Sequence, residues 1–336
     1  MKIAVYQGHQ KFSIEDVPVP SPSRGQLLVK VKYSAICGTD VHGFLYDVVP
    51  PGTVMGHEYS GVIVEIGEGV TKWSVGDRVV AGGVPPQGKE ARYISNPRFN
   101  YRELGYAISH RGYAEYLVME DWEPTKIPDG VSDEAAALAE PSGVAVRAVR
   151  KSELRLGDTV GVIGAGPIGL FTIQAAKAAG ASDVYVSEPV PARREAALNA
   201  GASGVYDPSD MIESVVAATD GLGPHVVFEC VGIGRTLDQS LDMVRQFGQV
   251  VLVGVAWEET PVLPANWMAR EVKLQTTFGA RPSDYGMALK LIDDGRIEID
   301  HMVSNADVIP LDGIQRAFED LVNPSTQVQV LIKPDS

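Results

Sequence analysis

The chain has 336 residues, of which 45% are hydrophobic and 21% are charged. At roughly 150 residues per domain this length suggests two domains, and the composition excludes disorder as the main state. A formal charge of −14 argues against nucleic acid and membrane partners, because phosphate-rich surfaces repel an acidic chain. Two cysteines cannot form a disulfide framework. The N-terminal residues lack the apolar core of a secretion signal, and no apolar stretch reaches the roughly 18 residues of a membrane span, so we expect a cytoplasmic protein.

The first part of the chain, to about residue 145, consists of short β-type runs. Turns rich in proline and glycine separate these runs, which include KIAVYQ, QLLVKVKYSAI, YSGVIVEIG, DRVVAGG and AEYLVME. Short strands at turn-separated intervals are typical of a small barrel or sandwich. This part of the chain is therefore predicted to be β-rich.

The pattern changes after Ala145. Continuous apolar runs follow, as is typical of parallel strands buried on both faces: TVGVI, VYVSE, VVFEC, QVVLVG and KLQTTFG. Helix-like stretches lie between them, and this alternation predicts a doubly wound α/β sheet. A further helix begins near Arg281, and the closing run VQVLIK is a strand that could return to pair with the first domain.

Three glycines, Gly164, Gly166 and Gly169, form a GxGxxG pattern between a predicted strand and a predicted helix. The first permits a tight turn, the second lets the backbone approach a pyrophosphate, and the third lets helix and strand pack closely. Glu188 ends the next strand about 20 residues later, where its carboxylate can bind both ribose hydroxyls and repel a ribose phosphate. NAD is therefore favoured over NADP, although Arg193 could either lie over the adenine or admit a phosphate. The alternative is a glycine-rich turn that binds no dinucleotide.

Two turns of the first part carry side chains suited to a transition metal. Cys37 lies in the run CGTDVH, and His57 and Glu58 lie in the run GHE. Zinc prefers thiolate and imidazole ligands, and a carboxylate can serve as a third. Asp40 could orient a ligating imidazole without binding the metal itself. Taken singly, such residues are more often core or surface residues, so the spacing alone leaves both interpretations open.

Longer motifs are more specific. The runs CGTDVH, GHEYSGVIVEIGEGV, LAEPSGVAVRAVR and VGVIGAGPIGLFTIQAAKAAGA occur in this order. Together they resemble the zinc-dependent medium-chain alcohol dehydrogenases, especially the branch of butanediol, sorbitol and threonine dehydrogenases, over nearly the whole chain. The resemblance implies an α/β protein. Its GroES-like β-rich catalytic domain would comprise residues 1–145 and 281–336, around an inserted Rossmann NAD-binding domain at 146–280.

The resemblance also implies the ligands of a catalytic zinc. Cys37 and His57 fall on two of them. Glu58 follows the histidine, and Glu140 falls where a ligand or close neighbour of the metal sits. Whether Glu58, Glu140 or water completes the tetrahedron stays open at this point.

Further roles follow from the same resemblance. Thr39 falls on the hydroxyl that bonds the substrate oxygen, and His42 falls on the histidine that passes the proton to solvent. The alternative for His42 is an ordinary surface histidine. Contacts to the cofactor are implied for Gly164, Gly166, Pro167, Ile168, Gly169, Glu188, Arg193, Val231, Val253 and Phe278.

Most members of that family hold a second, structural zinc through four cysteines. In the corresponding stretch, QGKEARYISNPRFNY, the four positions carry Gln87, Glu90, Tyr93 and Tyr101. None of these is a thiolate, so no tetrahedral sulfur site can form there. The sequence therefore predicts one zinc ion per chain.

These observations predict an enzyme, a zinc- and NAD-dependent oxidoreductase that interconverts a secondary alcohol and its ketone by hydride transfer. Diols, polyols and cyclic alcohols fit the motifs equally well, and the resemblance suggests a homodimer or homotetramer. One alternative is a zinc-free quinone or enoyl reductase of the same superfold, and another is a non-catalytic dinucleotide-binding protein. The combination of Cys37, His57 and Glu58 argues against both, because neither requires metal ligands.

Overall fold

The computed structural model describes residues 1–80, 112–256, 258–322 and 327–335 of the chain. Among these residues, no helix is long and apolar enough to cross a membrane. The prediction that the structural zinc site is missing concerns residues 87–101, which lie outside the described residues.

The chain divides into two compact units. The first comprises Met1–Glu140, Arg281–Asp293 and Val303–Ser336, and the second comprises Pro141–Ala280 and Asp294–Met302. Residues 141–145 and 294–302, which the sequence assigned to the catalytic domain, thus lie in the second unit.

Hydrogen bonds from Gln174 connect residues 294–302 to the helix Pro167–Ala178 of the second unit. The Nε2 of Gln174 donates to the carbonyl oxygen of Glu298 at 3.1 Å, and its Oε1 accepts from the amide of Glu298 at 2.7 Å. Gln174 is 6% exposed, so these bonds also satisfy a buried amide. A single buried glutamine leaves no trace in a hydrophobic pattern, so this contact could not be predicted from the sequence.

The elements of both units are as follows, numbered along the described part of the chain. The strands are β1 (Lys2–Gly8), β2 (Lys11–Asp16), β3 (Gln26–Ala35), β4 (Thr53–Val54), β5 (Glu58–Ile66), β6 (Arg78–Val80), β7 (Tyr116–Glu120), β8 (Thr125–Lys126), β9 (Thr159–Ile163), β10 (Asp183–Ser187), β11 (Gly204–Tyr206), β12 (Val226–Glu229), β13 (Gln249–Leu252), β14 (Lys273–Thr276), β15 (Val308–Pro310) and β16 (Leu331–Lys333). The helices are α1 (Gly38–Leu45), α2 (Asp133–Ala137), α3 (Ala139–Lys151), α4 (Pro167–Ala178), α5 (Pro191–Asn199), α6 (Met211–Ala218), α7 (Gly234–Met243), α8 (Ala265–Met268), α9 (Pro282–Asp293) and α10 (Ile314–Val322).

Strands of the first unit form a small sheet of order β2–β1–β4 and a larger one of order β15–β16–β3–β5–β6–β8. β3 is central to the larger sheet, because it pairs antiparallel with β5, β7 and β16. In the last of these pairings Leu331 lies opposite Ala35 and Ile332 lies opposite Ser34. This is the return of the closing strand that the run VQVLIK suggested.

The second unit contains one parallel sheet of order β11–β10–β9–β12–β13–β14. Counted from its first strand, this is the 3-2-1-4-5-6 order of a Rossmann fold, with helices between successive strands. Most residues of β9, β10 and β12 are buried, as expected for a sheet covered on both faces. The predicted doubly wound α/β sheet is confirmed.

The core of the first unit depends on Phe318 of α10, which is fully buried. Its ring centroid lies 4.8 Å from that of Phe12, 5.2 Å from that of Phe44 and 6.0 Å from that of Tyr113. Large aromatic side chains contribute most of the apolar area in such a core. The core therefore joins the N-terminal strands, α1 and the C-terminal helix.

We predict that Phe318→Ala lowers the free energy of unfolding by roughly 3–5 kcal/mol, because it leaves a cavity among these rings. Phe247→Ala is the control, since that side chain is 62% exposed and its removal should cost much less. Chemical denaturation followed by circular dichroism measures both. Equal, small effects for the two variants would contradict the assignment of this core.

Candidate active site

Cys37 stands at the start of α1 and caps it. Its Sγ accepts a hydrogen bond from the amide of Thr39 at 3.4 Å. The positive end of a helix favours the thiolate, which is the form of cysteine that binds metals. Asp40 and His42 lie on the same helix, so one short element places several predicted site residues.

A tight turn precedes His57 and Glu58. Gly56 has a φ of +91°, which other residues rarely adopt, and a Cβ there would lie 2.7 Å from the ring of Tyr113. β5 then begins at Glu58, which pairs with Ala35 at the end of β3. This pairing places the GHE turn beside the start of α1.

Three donor atoms meet here: the sulfur of Cys37, a ring nitrogen of His57 and a carboxylate oxygen of Glu58 lie within 4.8 Å of one another. Glu58 is 2% exposed, and its Oε2 makes no hydrogen bond to the described residues. An unsatisfied buried carboxylate oxygen is costly, and a cation would satisfy it. Thiolate, imidazole and carboxylate are ligands that zinc accepts, so the residues present fit such an ion.

Burial opposes ionisation of these groups in the absence of a cation. Burial, followed by the neighbouring Glu58, raises the pKa of the Cys37 thiol to about 11. Burial and the carboxylate of Glu140 raise the pKa of Glu58 to about 8. Burial tends to lower the pKa of His57, but Asp40 and Cys37 outweigh it, so that pKa lies well above its ordinary value. A divalent cation would lower the pKa values of Cys37 and Glu58, because it stabilises their anionic forms.

Asp40 supports His57 from behind. The Asp40 carboxylate is 2% exposed, and its Oδ2 lies 3.6 Å from the Nδ1 of His57. The other ring nitrogen, Nε2, is then the one available to a metal, as in other histidine ligands that a carboxylate orients. The hydroxyl of Tyr113 donates to the same Oδ2 at 2.7 Å. Asp40 was among the residues predicted from the sequence, but Tyr113 was not, because it lies 73 residues further along the chain and belongs to no metal motif.

Glu140 lies in the first turn of α3. Burial raises its pKa, and its carboxylate is near enough to raise that of Glu58. It is nevertheless not one of the donors that lie within 4.8 Å of one another. Of the two carboxylates that the sequence left open, only Glu58 therefore contributes a donor atom to the cluster.

The two residues predicted to handle the proton both lie on α1 and are half-buried. Thr39 is in the first turn of the helix, where its amide bonds to the capping cysteine. His42 lies one turn later, where its Nδ1 is 2.7 Å from the carbonyl oxygen of Gly38. Because a carbonyl oxygen only accepts, Nδ1 carries hydrogen and Nε2 is the basic nitrogen. The His42 ring also stacks on Tyr46, with centroids 5.9 Å apart.

In the second unit, the GxGxxG turn connects β9 to α4. Gly164 has a φ of +91°, and a Cβ on it would lie 2.6 Å from Val231 Cγ2. A Cβ on Gly169 would lie 1.9 Å from the carbonyl oxygen of Gly164, so only glycine permits this approach of helix and strand. Gly166 is the N-cap of α4, and a Cβ there would meet open space. A pyrophosphate can approach the helix N-terminus from that side.

Glu188 follows β10 and is 4% exposed. Its Oε2 accepts from the amide of Ala165 and its Oε1 from the amide of Val190, each at 2.8 Å. Each carboxylate oxygen has a second lone pair, so both can also accept from a ribose hydroxyl. Arg194 donates to the backbone carbonyl of Glu188 at 2.9 Å.

A cavity of about 710 Å³ lies at the carboxyl edge of this sheet, where open α/β sheets bind their ligands. Among the predicted cofactor contacts, its lining includes Gly164, Gly166, Glu188, Arg193 and Val231. It does not include Pro167, Ile168, Gly169, Val253 or Phe278.

Other residues that line this cavity were not predicted from the sequence. They include two segments, one after β11 and one in α7, at 207–209, 235, 236 and 239. Both segments follow parallel strands, and the carboxyl ends of parallel strands meet at one edge of the sheet. That rule could have identified these segments from the strand pattern.

Comparison with known proteins supports the same interpretation. Residues 23–129 match the family model of the alcohol dehydrogenase GroES-like domain, and residues 167–294 match that of the zinc-binding dehydrogenases. The (R,R)-butanediol dehydrogenase of Bacillus subtilis (strain 168) is 35% identical over an alignment of 352 residues, gaps included, which covers 100% of each chain. A sorbitol dehydrogenase of Halalkalibacterium halodurans is 31% identical over 314 residues, 90% of this chain and 91% of that one. A crystal structure of a Sinorhizobium meliloti 1021 protein bound to NADP has a TM-score of 0.86 and 31% identity, and covers 99% of each chain.

The class of protein is therefore a zinc-dependent oxidoreductase that uses a nicotinamide cofactor. The chain belongs to the zinc-type medium-chain alcohol dehydrogenase family, and it acts on secondary alcohols. The predicted combination of a GroES-like domain with a Rossmann-type sheet is confirmed. Membership of this family also weighs against both alternatives, the zinc-free reductase and the non-catalytic protein.

We predict that Cys37→Ser abolishes zinc binding and reduces turnover by more than about 100-fold, because even substitutions behind the ligands cost 10–100-fold. NAD binding should persist, since that cavity lies in the second unit. Metal analysis and titration with NAD measure the two properties. The parent protein should contain one zinc per chain, and Cys230→Ser should keep it. Two tightly bound zincs in the parent, or near-normal turnover of Cys37→Ser, would contradict the assignment.

Proposed function

We propose that Cys37, His57 and Glu58 hold a single catalytic zinc ion, and that a secondary alcohol is oxidised there by NAD. The observation that carries this proposal is the meeting of three donor atoms within 4.8 Å of one another. In this proposal the first unit is the catalytic domain and the second is the NAD-binding domain. Glu58 is preferred to Glu140 as the third protein ligand, because only Glu58 has a donor atom in the cluster.

When bound, zinc supplies a Lewis acid for the substrate oxygen, and NAD supplies the acceptor for the hydride. Groups of the protein itself favour the ionised form of one ligand and fix the orientation of another. The N-terminus of α1 and the amide of Thr39 favour the thiolate form of Cys37. Asp40 keeps the imidazole of His57 in one orientation. Both contacts hold the ligands in position before substrate binds.

The proton of the alcohol is proposed to leave along α1. The Thr39 hydroxyl accepts it from the substrate while passing its own proton on towards His42, and the Nε2 of His42 delivers a proton to solvent. This assignment is supported by the hydrogen bond between Nδ1 of His42 and the Gly38 carbonyl, which leaves Nε2 as the basic nitrogen. In the direction of ketone reduction, the same residues supply the proton.

We propose NAD as the preferred cofactor. Glu188 lines the cavity, and its carboxylate would repel the additional phosphate of NADP while accepting hydrogen bonds from the ribose hydroxyls. The related Sinorhizobium meliloti structure contains NADP, so the fold itself accommodates either dinucleotide. Arg193 lines the same cavity and could accept that phosphate, so the proposed preference depends on the carboxylate of Glu188.

We propose that the substrate carries further hydroxyl groups. One relative is a butanediol dehydrogenase and another is a sorbitol dehydrogenase, so a vicinal diol or a polyol is favoured over a simple alcohol. A panel of diols, polyols and cyclic alcohols, assayed by NAD reduction, tests this directly. Activity confined to simple or cyclic alcohols would contradict it. Assembly as a homodimer or homotetramer and a location in the cytoplasm stay predictions.

We predict that Glu188→Ser lowers kcat/KM with NAD by at least about 10-fold and raises it with NADP by about 10-fold. The reason is the loss of charged hydrogen bonds to the ribose, at roughly 1.5–3 kcal/mol each, together with the loss of phosphate repulsion. Glu188→Gln is the matched control, because it removes the charge but keeps an acceptor oxygen. Steady-state kinetics with both cofactors measures the ratio. An unchanged ratio in both variants would show that Glu188 does not face the ribose.

We predict that His42→Gln slows alcohol oxidation on the order of 10-fold below about pH 7, where bulk base is scarce. Added imidazole should restore part of the rate, because a diffusing base can replace a relay group but not a metal ligand. The control His9→Gln changes a histidine whose side chain is 94% exposed and should leave the pH–rate profile unchanged. Loss of zinc from His42→Gln, or a parental rate at every pH, would refute the relay.

A further inference from the structure

Tyr113 is a fully buried tyrosine whose hydroxyl points at a carboxylate of the candidate metal centre. It is 0% exposed, and its hydroxyl donates to the Oδ2 of Asp40 at 2.7 Å. The carbonyl oxygen of Ala35 lies 3.4 Å from the same hydroxyl. Burial of a hydroxyl is costly unless it is hydrogen-bonded, so a phenylalanine would suit an otherwise apolar core better. The hydroxyl therefore calls for an explanation beyond packing.

The backbone and ring of Tyr113 are both fixed. Its amide donates to the carbonyl of Met55 at 3.0 Å, and its carbonyl accepts from the amide of Ala4 at 2.9 Å. The ring lies against Gly56, and a Cβ on that residue would come within 2.7 Å of the ring. The ring also packs edge-on against Phe318. The position of the hydroxyl is thus set by the same segment, residues 55–56, that leads into His57.

We propose that Tyr113 is a positioning residue for the metal centre. By holding Oδ2 of Asp40, it fixes the carboxylate that lies 3.6 Å from the Nδ1 of His57 and so fixes the direction of the other ring nitrogen. This inference rests on the proposed function, in which His57 is a zinc ligand. It adds a residue outside the motif to the chain of contacts that orients that ligand.

The chemistry of the three groups supports this role. A carboxylate oxygen has two lone pairs, so Oδ2 can accept from the tyrosine and still face the imidazole. Aspartate has two rotatable side-chain bonds, and the tyrosine hydroxyl is one of the contacts that fix its carboxylate against the ring. Partners of this kind behind a metal ligand typically change metal affinity by 10–100-fold.

Tyr113→Phe tests the proposal, because it keeps the ring against Gly56 and Phe318 and removes only the hydroxyl. We expect the zinc dissociation constant, measured on the full chain by competition with a chromophoric chelator, to rise about 10-fold. The visible absorption bands of the cobalt-substituted protein should shift as well. Neither readout depends on turnover.

Tyr6→Phe is the matched control. Tyr6 is also 0% exposed, and its hydroxyl also donates to an aspartate, Asp47, at 2.6 Å. Its hydroxyl bonds to Phe44, Asp47 and Gln10, none of which belongs to the donor cluster. A general loss of stability from removing a buried tyrosine hydroxyl would affect both variants, whereas loss of positioning should affect zinc only in Tyr113→Phe. Equal loss of zinc affinity in the two variants would refute the proposal.

A double variant tests the route through Asp40. In the Asp40→Asn background, Tyr113→Phe should cause no further loss of zinc affinity, because residues that act through one contact are not additive. Full additivity overturns the proposal, as does unchanged zinc affinity in Tyr113→Phe. Failure of the proposed function looks different: the parent would then bind zinc no more tightly than Cys37→Ser.

Discussion

The imidazole of His57 shares its buried surroundings with one thiol and three carboxyl groups, so acidic groups outnumber the basic group at this site. Cys37, Asp40, Glu58 and Glu140 are all close enough to influence one another or His57 electrostatically. In a poorly solvated space so many acidic groups cannot all be ionised at neutral pH. They must either hold protons or share a cation. The fold therefore couples protonation at this site to metal binding, and zinc entering it would displace protons.

Two elements create this situation, and both follow from local sequence rules. Cys37 caps the N-terminus of α1, whose positive end lies at the thiol, while Gly56 allows the turn that precedes His57 and Glu58. Neither element provides all three donor residues. Cys37 comes close to His57 and Glu58 because Glu58 pairs with Ala35 between β5 and β3. The candidate metal centre thus depends on sheet register, since a slip of one residue would turn Glu58 to the other face.

Much of the fold and part of the candidate site could be predicted from the sequence, because they are encoded locally. Continuous apolar runs predicted the parallel sheet, and the spacing of Gly164, Gly166 and Gly169 predicted the turn that leads into α4. Contacts between segments that are distant in the sequence could not be predicted. Tyr113 and Asp40 are 73 residues apart, and Gln174 and Glu298 are 124 residues apart. Such pairs depend on how strands and helices pack, which no short pattern records.

The closing strand has a consequence for how this chain is made. β16 pairs with β3, and Gln329 donates to the carbonyl of Ile36 across a separation of 293 residues. Every strand of the second unit's sheet, by contrast, lies within the continuous stretch from β9 to β14. On the ribosome the nucleotide-binding sheet can be completed while the β-rich unit still lacks its last partner. A chain that stops before β16 would have a complete Rossmann sheet. In its first unit, however, residues 34 and 35 of β3 would form an unpaired edge, where another polypeptide can pair.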